Sequence, residues 1–219
     1  MTPDLLRWGA HGEPAVVVTG VSHGERAPGS PILSEVSLRA MPGQVVVVAG
    51  RSGSGKSTLC QLVAGLETPD RGSVLVLGVP ATSVHDWARL ALLPQRLGLP
   101  LELTIEENVA LPCWVRARPE RPELMEAFDL EHLAGRRTGE ASRGEQQRVA
   151  IARAAALGPD VIVLDEPTSH QDEAHADLVA AQLLELARAG SAVIVATHDP
   201  RLLGAADQVV HLHAGRHQP

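Results

Sequence analysis

Cysteine is scarce in this 219-residue chain: Cys60 and Cys113 are the only two. They form no CxxC pair and no metal-ligand spacing of their own, which argues against a cysteine-held metal or redox centre. Both are read as reduced, buried thiols of a cytosolic protein. Long apolar runs are also missing. No stretch approaches the ~18 consecutive apolar residues of a membrane helix, so any membrane path must come from another chain. The N-terminal residues MTPDLLRWGAHGEPAVVV lack the basic segment, apolar run and cleavage site of a signal peptide, and none is expected. Positive charge is in deficit, with 19 Lys and Arg against 26 Asp and Glu. A net charge of −7 argues against a surface built to grip nucleic acid phosphates.

What remains is the composition of a globular domain. Hydrophobic residues make up 44%, too many for a disordered chain, and the length suits one compact domain with a sizeable core. Short β-branched runs recur at Ala15–Val18, Val45–Ala49, Val74–Leu77, Val161–Leu164 and Val193–Ala196. Uninterrupted runs of this kind predict strands buried on both faces, as in a parallel sheet covered by helices. Helical candidates lie between them: Ser57–Ala64 before Gly65, Gly144–Leu157 before Gly158, and Glu173–Ala189 before Gly190. In each case the glycine is a stop signal. Strand and helix alternate, which points to an α/β architecture. The stretch from about Arg96 to Gly139 has no Val/Ile run, several prolines and helix-compatible pieces such as Pro122–Leu133. It is read as a helical insertion. The whole of 1–219 is one domain in this reading, with about 1–95 and 158–219 as core and about 96–157 as helical subdomain.

Chemistry enters at Gly50-Arg51-Ser52-Gly53-Ser54-Gly55-Lys56-Ser57, which fits the phosphate-loop pattern GxxxxGK(S/T). A buried strand leads in and a helix leads out, as the motif requires. Glycines let backbone N–H groups fold inward around a phosphate chain, and the helix N-terminus adds a favourable dipole. Lys56 would reach the β- and γ-phosphates of ATP, and the Ser57 hydroxyl would ligate Mg²⁺. A second apolar strand, Val161–Leu164, ends in two carboxylates. Asp165 is placed to hold the Mg²⁺ shell, and Glu166 to polarise the attacking water as general base.

The third signal, Ala141-Ser142-Arg143-Gly144-Glu145-Gln146-Gln147-Arg148-Val149-Ala150-Ile151-Ala152-Arg153-Ala154, resembles the ABC ATPase signature, LSGGQ followed by QRVAIARAL. Gln95 looks like the family's Q-loop, Glu166-Pro167-Thr168-Ser169 running into Asp172 like its D-loop, and His198 like its switch histidine. The motifs follow the family's order, and the resemblance spans roughly Val16 to Gly215. It implies a P-loop core with a mainly parallel sheet, a small antiparallel N-terminal β part and an inserted helical subdomain. It also implies a nucleotide-binding set that adds Thr58, Gln95, Ser142, Gly144 and Glu145 to the phosphate loop. Gln95 would join Ser57 and Asp165 at Mg²⁺, and His198 would contact the γ-phosphate. Ser142 and the backbone at Gly144 begin a helix and so present donors to an anion. In the family that anion is the γ-phosphate held by the opposite subunit. The expected partners are therefore a second copy or a similar cassette and a separate membrane permease, at the inner face of the cell membrane. Residues Ile105–Pro112 and the short chain look like the lipoprotein-releasing and macrolide-export group.

Three departures from the family pattern stand out. Ala141 and Arg143 replace the signature leucine and first glycine, and His170-Gln171 stand where Ala-Leu is usual. The aromatic that stacks on adenine has no clear counterpart, since tyrosine is absent and no aromatic lies between Trp8 and Trp87. His23, Arg26 and Trp8 are the remaining candidates. A soluble ABC ATPase of DNA repair or ribosome regulation is the main rival reading; such relatives usually carry two cassettes or a long coiled-coil or zinc insertion. A P-loop kinase is disfavoured by the signature and D-loop.

Overall fold

A computed structural model describes residues 12–27, 30–213 and 215–218. Strands β1 (Val16–Ala27) and β2 (Ser30–Ala40) form a hairpin that leads into β3 (Val45–Ala49) and helix α1 (Lys56–Val63). Two further strands, β4 (Arg71–Val76) and β5 (Val79–Pro80), return to the hairpin, and β6 (Leu90–Leu93) follows. Helices α2 (Ile105–Val115), α3 (Glu123–Ala127) and α4 (Arg143–Ala155) then occupy the chain up to β7 (Val161–Asp165). The remainder is α5 (Glu173–Arg188), β8 (Ala192–Ala196), α6 (Pro200–Ala205), β9 (Gln208–His213) and β10 (Arg216–Gln218).

Among the described residues the strands join in the order β5-β4-β1-β2-β10-β9-β3-β8-β7-β6. The half from β9 to β6 is parallel, while β1 pairs antiparallel with both β2 and β4. Two of the five apolar runs, Ala15–Val18 and Val74–Leu77, thus feed the antiparallel part rather than the parallel core. In these two strands one face is buried and the other only half-buried, at Val17 and Leu75, so apolar continuity there overstates the burial.

Side chains of a strand alternate between faces, and the core divides accordingly. Val45 and Val47 of β3 join Ile162, Leu164, Val193 and Val195 in a cluster with α2, α4 and α5. Their neighbours Val46 and Val48 join Val163 and Ile194 in a second cluster under α1 and the hairpin. Every residue of β3, β7 and β8 is buried.

Helix α2 runs through Pro112, against the usual breaking effect of proline. Its start is fixed by a capping box, in which Thr104 accepts from the Glu107 N–H and Glu107 accepts from the Thr104 N–H. Packing of Ile105, Val109 and Cys113 supplies the rest of its stability. The expected helix Pro122–Leu133 is instead broken after Ala127, with Asp129 at φ 51 and a single 3-10 turn at Glu131–Leu133. Phe128 and Leu130 are both buried, at 1% and 0% exposure. Positions two apart on an α-helix face different ways, so burying both requires the helix to end.

Candidate functional site

Four segments meet at the carboxyl ends of the parallel strands, where open α/β sheets form their binding crevices. The phosphate loop follows β3, Gln95 follows β6, Asp165 ends β7, and Thr197-His198 follow β8. Together they line a cleft of about 1400 Å³. Backbone geometry explains the glycines at its rim. Gly55 caps α1 at φ 103, and a Cβ there would lie 2.6 Å from Leu33 Cδ2. At Gly50 a Cβ would lie 2.4 Å from the Leu212 carbonyl oxygen.

Lys56 is 8% exposed, yet its Nζ donates to the Gly50 carbonyl at 2.8 Å and approaches Glu166 Oε1 at 3.5 Å. The ammonium is thus held against the loop that would wrap a phosphate. Asp165 is 5% exposed, and burial raises its carboxyl pKa above the ordinary aspartate value. A hydrogen bond with Ser57 opposes that shift, and the neighbouring Glu166 charge adds to it. Glu166 sits in the left-handed region at φ 51, a strained backbone for a residue with a side chain. Its backbone N–H donates to the Ala196 carbonyl at 2.8 Å. Three groups surround its carboxylate: Lys56, the Thr197 hydroxyl at 3.2 Å, and His198 Nδ1 at 3.2 Å.

Gly50, Arg51, Ser52, Gly53, Gly55, Lys56, Ser57, Thr58, Gln95, Asp165, Glu166 and His198 all line this one cleft, with Ser54 buried in the loop beneath it. The signature segment behaves differently. Ser142, Gly144 and Glu145 do not line the cleft of their own chain, whereas Arg143, Gln146 and Gln147 do. Ser142 is occupied as the cap of α4: its Oγ accepts from the Glu145 N–H, and Glu145 accepts from the Ser142 N–H at 2.6 Å. Burial opposes ionisation of the Glu145 carboxyl, but the Ser142 backbone N–H, the Ser142 hydroxyl and the nearby Arg136 hold its pKa below the usual value.

Several contributors escaped sequence reasoning. Thr197 is fully buried and orients Glu166, and Gln147 Nε2 donates to the Glu166 carbonyl at 3.3 Å. Thr197 was legible only as the neighbour of His198, and Gln147 only as one residue of the signature helix. His23, a candidate for stacking on a base, lies outside the cleft lining. Its Nε2 is 2.7 Å from Glu67 Oε2 and its Nδ1 3.5 Å from Asp70 Oδ2. Trp8, another candidate, falls outside the described residues. Cys60 and Cys113 are both free and buried, and burial pushes both thiol pKa values up.

Comparison with known proteins agrees with this geometry. The ABC transporter family profile matches residues 33–169. The lipoprotein-releasing system ATP-binding protein LolD of Granulibacter bethesdensis is 39% identical over 202 residues, covering 86% of this chain and 88% of that protein. The protein of the same name from Pseudomonas fluorescens is 38% identical over 211 residues, covering 90% and 92%. Among solved structures, the dimeric post-hydrolysis ATP-binding cassette MJ0796 bound to ADP and Pi superposes with a TM-score of 0.83. It is 28% identical, with 93% of this chain and 97% of that one covered. An ATP-binding subunit of an ABC transporter gives the same TM-score at 26% identity, covering 94% and 88%. With a phosphate loop, paired carboxylates and a signature helix on this fold, the chain belongs to the ABC transporter family and is one of its ATP-binding, ATP-hydrolysing cassettes.

Proposed function

We propose that the chain is the motor subunit of a membrane transporter, closing as a dimer on ATP and reopening after hydrolysis. The observation that carries the reading is the split of the motifs. The phosphate loop, Gln95, Asp165, Glu166 and His198 share one cleft, while Ser142 and Gly144 of the same chain stay out of it. Arg143, Gln146 and Gln147 edge their own cleft, but Ser142 and Gly144 do not and are free to close a partner's; the similarity to a dimeric cassette supports that arrangement. Residues 96–157 would act as the signature-bearing helical subdomain against a core of 1–95 and 158–219. No helix among the described residues is long and apolar enough to cross a membrane. The membrane path would therefore come from a separate permease, with this chain peripheral to it on the inner face. The naming of the relatives favours lipoprotein release as the transport task.

Hydrolysis follows from the residues in the cleft. Backbone N–H groups of Gly50–Ser57 and the Lys56 ammonium bind the triphosphate and offset its charge. Glu166, steered by Thr197 and His198, accepts a proton from the attacking water as its oxygen bonds to the γ-phosphorus. The bond from that phosphorus to the bridging oxygen breaks, and ADP and phosphate leave. Ser57, Gln95 and Asp165 form an all-oxygen set that suits a hard cation, and the cost of burying the Asp165 charge is the kind a cation would relieve. They would hold Mg²⁺, which supplies charge neutralisation to the β- and γ-phosphate oxygens when bound. His198 would add a contact to the γ-phosphate.

The test is Glu166→Gln. Hydrolysis should fall by about 10²–10⁴-fold, the range expected for a lost general base, while ATP binding persists. Light scattering should then show a dimer with ATP and a monomer without it. A monomer at saturating ATP would overturn the closure mechanism, and unimpaired turnover would remove Glu166 from its role. Co-purification of the wild-type chain with an integral membrane protein, rather than with DNA or ribosomes, tests the transport task.

A further inference from the structure

The first turn of α4 rests directly on the loop that follows Glu166. A Cβ at Gly144 would lie 2.7 Å from the His170 carbonyl oxygen, closer than any side chain allows. Across this contact Gln171 Nε2 donates to the Gly144 carbonyl at 2.9 Å. The other end of the same amide, Gln171 Oε1, accepts from Arg148 Nη1 at 3.2 Å. Arg148 is itself fixed, being 4% exposed and donating through Nε to the Phe128 carbonyl at 2.9 Å. Nearby, Gln147 ties α4 to the Glu166 carbonyl. His170, beside Gln171, holds φ 63, so the loop has a defined and unusual path. A leucine at 171, as the family pattern has it, could make neither amide bond.

We propose that Gln171 is a positioning residue that makes the signature helix and the Glu166 loop of one chain move as a single body. The proposal rests on the dimer reading above. There, the signature of one chain closes on its partner's nucleotide, while Glu166 serves its own. A rigid joint between the two therefore transmits occupation of one site to the catalytic carboxylate of the other. Coupling of this kind typically changes affinity by 5–150-fold. Gln171 touches neither the phosphate loop nor the Glu166 carboxylate, so nucleotide binding to a single chain should not depend on it.

The experiment compares ATP dependence of hydrolysis in wild type, Gln171→Leu and Gln171→Glu, with nucleotide affinity and melting temperature measured alongside. Gln171→Leu removes both bonds. Gln171→Glu keeps the acceptor for Arg148 but loses the donor to Gly144, so it remains informative should the leucine variant fold poorly. Wild type should hydrolyse ATP cooperatively, with a Hill coefficient well above 1. Both variants should fall to a Hill coefficient near 1 and lose about tenfold in kcat. Affinity for ATP under monomeric conditions should stay within about twofold. Cooperativity and kcat retained by either variant, against a cooperative wild type, overturn the proposal and leave the dimer reading intact. A wild type with no cooperativity and no ATP-dependent dimer overturns both.

Discussion

Replacing Arg148 by methionine removes a charge the fold has buried while keeping much of its volume. The guanidinium makes two good hydrogen bonds, to the Phe128 carbonyl at 2.9 Å and to Gln171 at 3.2 Å. The approach to the Asp129 carbonyl at 3.5 Å is too long to count for much. Burial lowers the Arg148 pKa in spite of Asp129, Glu145 and Asp172 nearby, so the charged form is held at a cost. Two effects then oppose one another. Methionine escapes that desolvation, and well-packed apolar replacements of buried charges are often neutral or even stabilising. Against this, the Phe128 carbonyl loses a donor in a residue only 1% exposed, and an unsatisfied buried acceptor costs about 1–3 kcal/mol. Gln171 is half-buried, and water can replace its lost partner. The carbonyl decides the sign, because methionine offers it nothing and its depth excludes water. A net loss of about 2 kcal/mol is expected. In a chain of this size that lowers the melting temperature by about 4–8 °C. Arg148→Lys keeps the charge without the planar fork and should fall further. Calorimetry at neutral pH without nucleotide reads the difference. An unchanged or higher melting temperature for Arg148→Met would show that desolvation outweighs the bonds.

Asp165→Asn should abolish hydrolysis yet raise the melting temperature in chelator at neutral pH. Because folding raises the Asp165 pKa, its cost to stability is fully present above the raised value and absent below the ordinary aspartate value of 3.8. The gain over wild type should accordingly shrink as pH falls through that window, and a gain independent of pH would refute the cause. Arg143, exposed at the start of α4 and at the edge of its own cleft, should act on dimer closure more than on nucleotide binding to one chain. Arg143→Gly is expected to shift ATP-dependent dimerisation in the Glu166→Gln background, and equal dimerisation would mark Arg143 as a solvated helix-end charge. Base selectivity should be weak, because no tryptophan or phenylalanine among the described residues lines the cleft, and Ile32 and His211 are apolar and polar neighbours of the phosphate loop. Affinities for ATP and GTP should lie within about tenfold, or ~1.4 kcal/mol, where a stacked aromatic would add ~1–3 kcal/mol. His23→Ala should leave both unchanged, since that ring is engaged by Glu67; a preference for ATP above a hundredfold would reveal a base-reading element elsewhere.

Much of the site was legible because its parts are contiguous. The Gly50–Ser57 loop must be read by backbone, so its glycines fall in a fixed local order, and its strand and helix can be recognised on either side. Asp165 and Glu166 announce themselves as two charges at the end of an apolar run. The helix boundaries near Gly65, Gly158 and Gly190 were similarly local, since a left-handed cap needs a residue without a Cβ at one position. Other features had no local mark. Nothing in the stretch before Gly139 announced that α2 would run through Pro112, because its stability comes from packing against α4. Likewise, the break at Phe128–Leu130 follows from a core that both side chains must reach.

By itself, then, the sequence determined the local patterns: a glycine-rich loop of the phosphate-binding type, two carboxylates at the end of a strand, and strands alternating with helices. These are consequences of short-range geometry, in which spacing along the chain is distance in space. Tertiary structure alone decided which distant groups meet. Thr197 and His198 converge on Glu166 because β7 and β8 are neighbours in the sheet, and the strained Glu166 backbone is held by Ala196 from the adjacent strand. The sheet also joins the valine-rich antiparallel strands to the parallel ones, a pairing that apolar runs cannot encode. At the seam between α4 and the loop after Glu166, an amide, a guanidinium and a glycine come together from positions up to 27 residues apart. That contact depends on the packing of whole elements, and no pattern confined to neighbouring residues could have specified it.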